Sequence, residues 1–550
     1  VHSDTTTTPT SAAAPVDIRR FPWIRRFATD YAFDFSRVAP YFAGNPAQAT
    51  AWSDAIRRRQ AHPGVAADLA RVLLAQQQRR SAPPEARANA ERLQDSRTVV
   101  VITGQQAGLF GGPLFTLLKA VTAMKLARSV SAAHGVTVVP VFWIDAEDHD
   151  WPEVSGCTVL DGDMVPRTVR LSDLAGAGDL PVGRLFLDDS SQAAIEQLHA
   201  ALPETEFTAS LLQGLRTAYH PGATMADAFG RWLETVLGPH GLVVFDASDP
   251  AAKPLASRVF AHELAHPGET AELASVAGQA LVAAGYHAQV TPHEGAISLF
   301  HLNDGREGMR FTGNRATIGD RDTSLSALAQ EAATNPQHFS PNVLLRPIVQ
   351  DTLFPTICYV AGPNELAYLG QLRQVYAHFA VPMPLMYQRA TATIADSATV
   401  RFLNKYGMAL ETLQPQGEAA LNHLLEEQLP PSVEQSIAQA SQLVDERMAA
   451  VAAAVPQIDP TLEGTVKSTL GRMQHDLRTL HTKVIQAAKR RDDTLRRQFQ
   501  RAQALTFPNG HPQEREIGFV WFSNRYGPAL VDRLLEDLPL EMGAHWVLTI

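Results

Sequence analysis

The chain has 550 residues, of which 45% are hydrophobic and 19% charged, with 35 Gly and 36 Pro. That usage is ordinary for folded proteins and excludes collagen-like and wholly disordered classes; the length predicts two to four structural units with a core large enough to need no disulfide or metal staple. A net charge of −10, from 47 Lys+Arg against 57 Asp+Glu, gives the chain no general attraction to nucleic-acid phosphates or anionic lipid.

Cys157 and Cys358 form no CxxC spacing, which argues against a disulfide scaffold or a structural zinc site and fits a reducing cytoplasm. The first fifteen residues, VHSDTTTTPTSAAAP, lack the cationic start and apolar run of a secretory signal and read as a disordered polar tail. No uninterrupted apolar run of about 18 residues occurs, so no membrane partner is expected.

Residues 16–95 are rich in Ala, Arg and Gln, with apolar positions such as Ala66, Leu69, Val72 and Leu73 at helical spacing. The β-branched run Val99–Ile102 then leads into the turn-rich Thr103-Gly104-Gln105-Gln106-Ala107-Gly108 and an amphipathic run from Pro113 to about Val130. A second apolar run, Val136–Ile144, ends in Asp145-Ala146-Glu147-Asp148-His149-Asp150. Two buried strands joined through a helix form a βαβ unit with parallel pairing and a right-handed crossover. Gly241–Phe245 running into Asp246, and Thr356–Ala361 running into Gly362-Pro363-Asn364-Glu365, repeat the pattern of an apolar strand with a polar carboxyl end. The expected fold class is α/β: a doubly wound, Rossmann-type parallel sheet over residues 16–390, whose ligands sit outside the carboxyl ends of its strands. The segments at about 151–240 and 285–340 are too long for simple connections and read as insertions.

After Arg389 the pattern is helical. Ser432–Val455 keeps apolar residues at helical spacing until Pro456 and Pro460 break it. From Thr461 to about Leu505, Val466, Leu470, Met473, Leu477, Leu480, Val484 and Ala487 follow the alternating four-and-three spacing of a coiled coil. At 1.5 Å per residue this helix would be about 68 Å long, more than its hairpin partner covers. We therefore expect residues 391–510 to form a helical coiled-coil domain that makes a homodimer, with 511–550 returning to the core.

Several motifs need weighing. His262-Glu263-Leu264-Ala265-His266 is an HExxH, but Pro267-Gly268 ends the helix at once and no third histidine follows nearby. It reads as two solvated histidines on a surface helix, and no metal ligand is assigned. Gly104–Gly112 lacks the Lys-Ser/Thr of a P-loop, yet lies between strand and helix, where backbone N–H groups can hold an anion and a first glycine permits close approach or positive φ; the same pattern equally fits a plain tight strand-to-helix turn. Glu147, Asp148, His149 and Asp150 at a strand end suit Mg²⁺ binding, an amine contact or proton transfer. Arg346 and Arg389 suit carboxylate or phosphate recognition, and either could equally be a surface ion pair. Lys489, Arg490, Arg491, Arg496, Arg497 and Arg501 read as a solvated coiled-coil flank, since aromatic stacking residues are sparse there.

Thr103–Phe110, Phe142-Trp143-Ile144 with Glu147–Trp151, and Asp246–Pro250 resemble the bacillithiol biosynthesis cysteine-adding enzymes, the BshC cysteine-ligase family. The likeness continues through Ser340–Val343, Arg346-Pro347, Gln350-Asp351, Gly362-Pro363 with Glu365 and Tyr368, Pro382-Met383-Pro384 with Arg389, Gln513-Glu514-Arg515 and Asn524–Gly527. Asn364 departs from it, standing where a small residue such as glycine is expected. The resemblance implies a core related to nucleotidylyltransferases and class I aminoacyl-tRNA synthetases, with two connecting-peptide insertions and a dimerising coiled coil. It further implies a ligase that joins the carboxyl group of cysteine to the amine of glucosaminyl malate, with ATP as activating co-substrate, ADP or AMP as product, and Mg²⁺ as its companion ion.

On that basis Asp148 or His149, with Glu147 beside them, are the candidates for taking the amine proton. Phosphates are expected against the Gly104–Gly112 turn, with Thr103, Gln105, Gln106 and Gly108 around them. Asp246, Gln350, Gly362 and Glu365 complete the binding set, and Arg346 or Arg389 is the expected clamp for the malate carboxylates. Activation could run through an acyl-adenylate or an acyl-phosphate, the core's kinship favouring the first. Two other readings of the residues stay open: a nucleotidylyltransferase acting on another amino acid or sugar acid, and a coiled-coil scaffold keeping a degenerate nucleotide-binding core.

Overall fold

A computed structural model describes residues 13–62, 66–302, 305–427, 431–491 and 493–550. The chain divides into two units, Ala395–Pro512 forming one and the flanking segments up to Ile394 and from Gln513 forming the other.

Period-two alternation organises the larger unit. Along the first core strand, β1 (Val99–Gln106), Val100 and Ile102 pack into one apolar cluster while Val99 and Val101 pack into another, so the strand is buried on both faces. With β2 (Val138–Asp145), β3 (Val243–Asp246), β4 (Thr356–Ala361) and β5 (Leu385–Gln388) it forms a parallel sheet in the order β5-β4-β1-β2-β3. Helix α1 (Leu114–His134) crosses from β1 to β2 and buries Ala123, Leu126, Ala127 and Val130 against one face. Gly135 ends it in the left-handed region at φ 65°, donating its N–H to Ser131 O at 3.0 Å, the geometry glycine adopts without strain. The chain winds outward from β1 to β3 and then returns to β4 on the other side of β1. The carboxyl ends of β1 and β4 therefore flank the switch point where a parallel sheet opens a crevice.

The four expected strands all form, and β5 is an addition. The segment between β2 and β3 holds a hairpin (Gly156–Leu160 with Pro166–Arg170) and three helices of more than ten residues, ending with Met225–Leu237. Between β3 and β4 lie α2 (Lys253–Ala265), a second helix Glu269–Ala283, and a five-stranded antiparallel sheet from Ala296 to Pro341. Helix α3 (Arg346–Leu353) precedes β4, and α4 (Arg373–His378) follows it.

Residues 1–12 of the expected tail lie outside the described residues, but Ala13–Asp17 is a strand, not a tail. It pairs antiparallel with Ala544–Thr549, Ala13 opposite Leu548, an edge partner that local composition cannot reveal. The C-terminal segment thus returns to the core.

In the smaller unit, α5 (Pro431–Ala454) and α6 (Glu463–Arg491) form an antiparallel hairpin, recorded by Gln474–Asp445 at 2.7 Å and His481–Glu434 at 2.9 Å. The proline break at 455–462 falls where expected. Helix continues over Asp493–Thr506; position 492, and the side chains of Lys489, Arg490 and Arg491, lie outside the described residues. Farther along the basic stretch, Arg501 pairs with Asp396 at 2.9 Å. Among the described residues no helix is long and apolar enough to cross a membrane.

Candidate active site

The crevice predicted by strand order is present. A slot of about 130 Å³ lies at the carboxyl ends of β1, β2 and β4, between Gly104, Gln105, Gln106, Asp145, Tyr359 and Glu365. Register places these groups: Gln106, the last residue of β1, stands opposite Asp145, the last of β2. Gly104 sits where a Cβ would come 2.9 Å from Trp143 O, so glycine is needed for close approach to β2 and not for positive φ. Lys119, one turn into α1, reaches up into the slot. Its Nζ donates to Gly104 O at 2.9 Å and Gln105 Oε1 at 3.1 Å and pairs with Glu365 Oε1 at 2.5 Å. Burial pushes the Lys119 ammonium down; burial would also raise the Glu365 carboxyl, but Lys119, then Arg346 and Arg389, outweigh it and hold that group below the ordinary carboxylate value.

Arg346, at the first turn of α3, closes the slot. It donates to Tyr368 OH at 3.1 Å and lies 3.4 Å from Asp145 Oδ2. Asp145, Arg346 and Tyr368 are shared with a wider chamber of about 450 Å³ lined also by Asp148, Phe300, Arg306 and Asn342. Asp148 is 35% exposed there, accepting from Gln106 Nε2 at 3.0 Å and Arg306 Nη1 at 3.2 Å. Arg306 comes from the antiparallel insertion and stacks over Phe300 with 3.7 Å to the ring centroid, so both faces of a cation and carboxylate constellation are held by packed elements.

The structure thus gathers Gly104, Gln105, Gln106, Asp148, Arg346 and Glu365 into one site. Other expected members lie outside the two linings. Thr103 is buried and donates its hydroxyl to Val360 O at 2.9 Å, stitching β1 to β4. Glu147 is buried in an ion pair with Lys253, whose Nζ also donates to Phe339 O at 3.1 Å; burial pushes the Glu147 carboxyl up, with Lys253 opposing. His149 is 45% exposed and lines neither slot nor chamber, but its Nδ1 lies 3.3 Å from both Asp148 Oδ1 and Arg306 Nη1. Asp246 folds the end of β3 by accepting from Ser248 N at 2.8 Å and Oγ at 2.6 Å. Gln350 is buried and donates to Asp351 at 2.9 Å. Gly362 is packed so that a Cβ would meet Glu365 Oε1 at 2.8 Å, and Asn364 does not adopt positive φ.

Two further expected groups are packed into the fold. The turn after β1 is no open phosphate cradle: Ala107, Leu109 and Phe110 are fully buried, Gly111 N–H donates to Tyr219 OH at 3.2 Å, and Tyr219 OH donates to Gly108 O at 3.4 Å. The C-terminal segment covers the rest, Ile517 O accepting from Leu114 N at 2.8 Å at the start of α1. The left-handed φ of 53°, 96° and 76° at Phe110, Gly111 and Gly112 serves this packing, and a Cβ on Gly111 would lie 2.2 Å from the Phe519 ring. Arg389 lines neither compartment: its guanidinium is buried in a bidentate pair with Glu514, at 2.9 and 2.7 Å.

Residues 15–390 match the family model for the bacillithiol biosynthesis BshC N-terminal Rossmann-like domain, and residues 392–550 that for the BshC C-terminal coiled-coil domain. The chain belongs to the BshC family. It is 34% identical to a Salinibacter ruber protein across 98% of this chain and all of that one. Relatives from Koribacter versatilis (32%, covering 87% and 88% of the two chains) and Symbiobacterium thermophilum (34%, covering 93% and 95%) agree. All three carry the name "Putative cysteine ligase BshC". The Rossmann-like core and helical coiled coil expected of a BshC chain are both present, and the slot at the switch point is where such a core places its ligand.

Proposed function

We propose that this chain is the ligase that joins cysteine, through its carboxyl group, to the amine of glucosaminyl malate, and so completes bacillithiol. The observation that carries this reading is the alternation of Arg346, Asp145, Arg306 and Asp148 around two joined compartments. Both substrates bear an amine and carboxylates, and such a lining offers each group an opposite charge. The narrow slot suits the small amino acid, with Gln105, Gln106 and Arg346 toward its carboxylate and Glu365 toward its ammonium. The wide chamber suits the sugar acid, whose malate carboxylates would take the guanidinium of Arg306.

A free carboxylate does not expel oxide, so ATP supplies the leaving group, with AMP released in the adenylate route; Asp145 is the carboxylate that would suit Mg²⁺ there. As the amine nitrogen bonds to the cysteine carbonyl carbon and the carbon–oxygen bond to the leaving group breaks, the nitrogen's proton passes to Asp148. Neither protein thiol takes part: Cys157 and Cys358 are buried, and burial pushes Cys157 up to about 12, far from a thiolate nucleophile. ATP and a free thiol place the reaction in the cytoplasm. Incubation of the purified chain with cysteine, glucosaminyl malate and ATP should yield bacillithiol by mass spectrometry, and no product under any nucleotide would refute the reading.

We further propose a homodimer through the hairpin. Leu470, Leu477 and Val484 are half-buried within it, while Met473 (39% exposed) and Leu480 (52%) on α6, with Leu443 and Val451 on α5, leave an apolar face outward. Leu480→Asp should convert the dimer to monomer in light scattering; an unchanged mass would place the dimer contact elsewhere.

A further inference from the structure

The HExxH segment, expected to carry two solvated histidines, meets a third imidazole from far along the chain. His378, the last residue of α4, sets its Nε2 3.2 Å from Nε2 of His262, and its ring centroid lies 5.4 Å from that of His266. The rings of His262 and His266, one turn apart at the end of α2, have centroids 4.4 Å apart. One ring nitrogen from each of the three lies within 4.8 Å of the others. Two nitrogens on one tetrahedral zinc, each bonded at 2.0–2.1 Å, stand about 3.4 Å apart, so the His262–His378 separation is already that of a polyhedron edge.

In His266 and His378 the other ring nitrogen is oriented as in ligand histidines. His266 Nδ1 lies 3.0 Å from the His262 carbonyl oxygen, and His378 Nδ1 lies 3.3 Å from Glu269 Oε2. Such contacts fix the tautomer and leave Nε2 free to donate its lone pair. The Phe379 ring, 4.7 Å from that of His262, shields one side. The C-terminal end of α2, where carbonyls favour a cation, adds to this. Glu263 points elsewhere: fully buried, it accepts from Thr270 Oγ1 at 2.5 Å and Ser298 N at 2.7 Å, so it is not a base for metal-bound water.

We propose that His262, His266 and His378 bind one zinc ion, with Glu269 orienting His378, and that the ion ties the end of α2 to the end of α4. The site is structural. None of the three histidines lines the slot or the chamber, and His266 lies about 20 Å along α2 from Lys253, the partner of Glu147, at 1.5 Å per residue.

The test uses the untagged full-length chain, stripped with a chelator, exposed to Zn²⁺ alone, and passed through gel filtration before metal analysis. One zinc per chain is expected, with a zinc-dependent rise in Tm, and both should be lost in His262→Ala and His378→Ala. Glu269→Gln keeps the three imidazoles and should weaken zinc affinity about 10–100-fold. Co²⁺ in the unmutated chain should give the intense visible absorption of a tetrahedral ion, a readout that needs no variant. Zinc retention equal in the unmutated chain and the His262→Ala/His378→Ala double variant, or only the weak spectrum of octahedral Co²⁺, would overturn the assignment.

Discussion

Asp148→Asn should lower kcat for ligation by about 10²–10⁴-fold, the range lost when a positioned general base is removed. The amide keeps the size of the carboxylate and can still face Gln106 Nε2, 3.0 Å away in the native chain, so the chamber stays filled. What goes is the carboxylate's acceptance of the amine's proton, together with its negative charge toward Arg306. His149→Ala, by contrast, should leave kcat near that of the unaltered chain, because its ring stands beside the chamber and not on it. Steady-state kinetics with each substrate varied in turn separate the two. Full kcat in Asp148→Asn would remove the proposed base, and a large loss in His149→Ala would transfer the role.

The second large effect falls on stability. Glu514→Leu should cost about 3–5 kcal/mol, because it leaves the Arg389 guanidinium buried without its counter-charge. Glu514 also accepts from the backbone N–H of Ala392 at 3.0 Å, so the same substitution strips the segment after β5 of a second bond. Arg389→Met combined with Glu514→Leu should recover much of the loss, since a buried pair replaced whole by apolar groups is often neutral. Urea unfolding of Glu514→Leu, of the double variant and of Arg389→Met alone measures this. If Arg389→Met instead raised KM for glucosaminyl malate with stability unchanged, Arg389 would be a substrate clamp after all.

These two arginines show what a sequence can and cannot reveal about this site. Arg346 and Arg389 flank the same strand and are chemically identical, yet one lines the slot and the other is sealed against Glu514, 125 positions away. Residues on a strand end announce their level along the sheet but not the face they take, because neighbouring side chains alternate. In the irregular segment past the end of β2, Asp148 reaches the chamber while Glu147, next to it, is buried against Lys253. Apolar runs made the first four strands legible. β5 was hidden behind Pro382 and Pro384, and the antiparallel insertion, with mixed segments such as Arg306–Thr312, shows no clean alternation. Lys119 did leave a signal: a charge between Leu118 and Ala120 in an apolar helix needs a buried partner, which proved to be Glu365. Arg306 and His378 left none, for each gains its meaning only from a contact with a distant segment.

The most direct test of the reaction assigned to the slot is positional isotope transfer. Cysteine labelled with ¹⁸O in its carboxyl group is incubated with the chain, glucosaminyl malate and ATP, and the nucleotide product is weighed by mass spectrometry. AMP carrying one ¹⁸O, formed in step with bacillithiol, is the predicted result. Unlabelled AMP, or label that never leaves cysteine, would contradict carboxyl activation at this site.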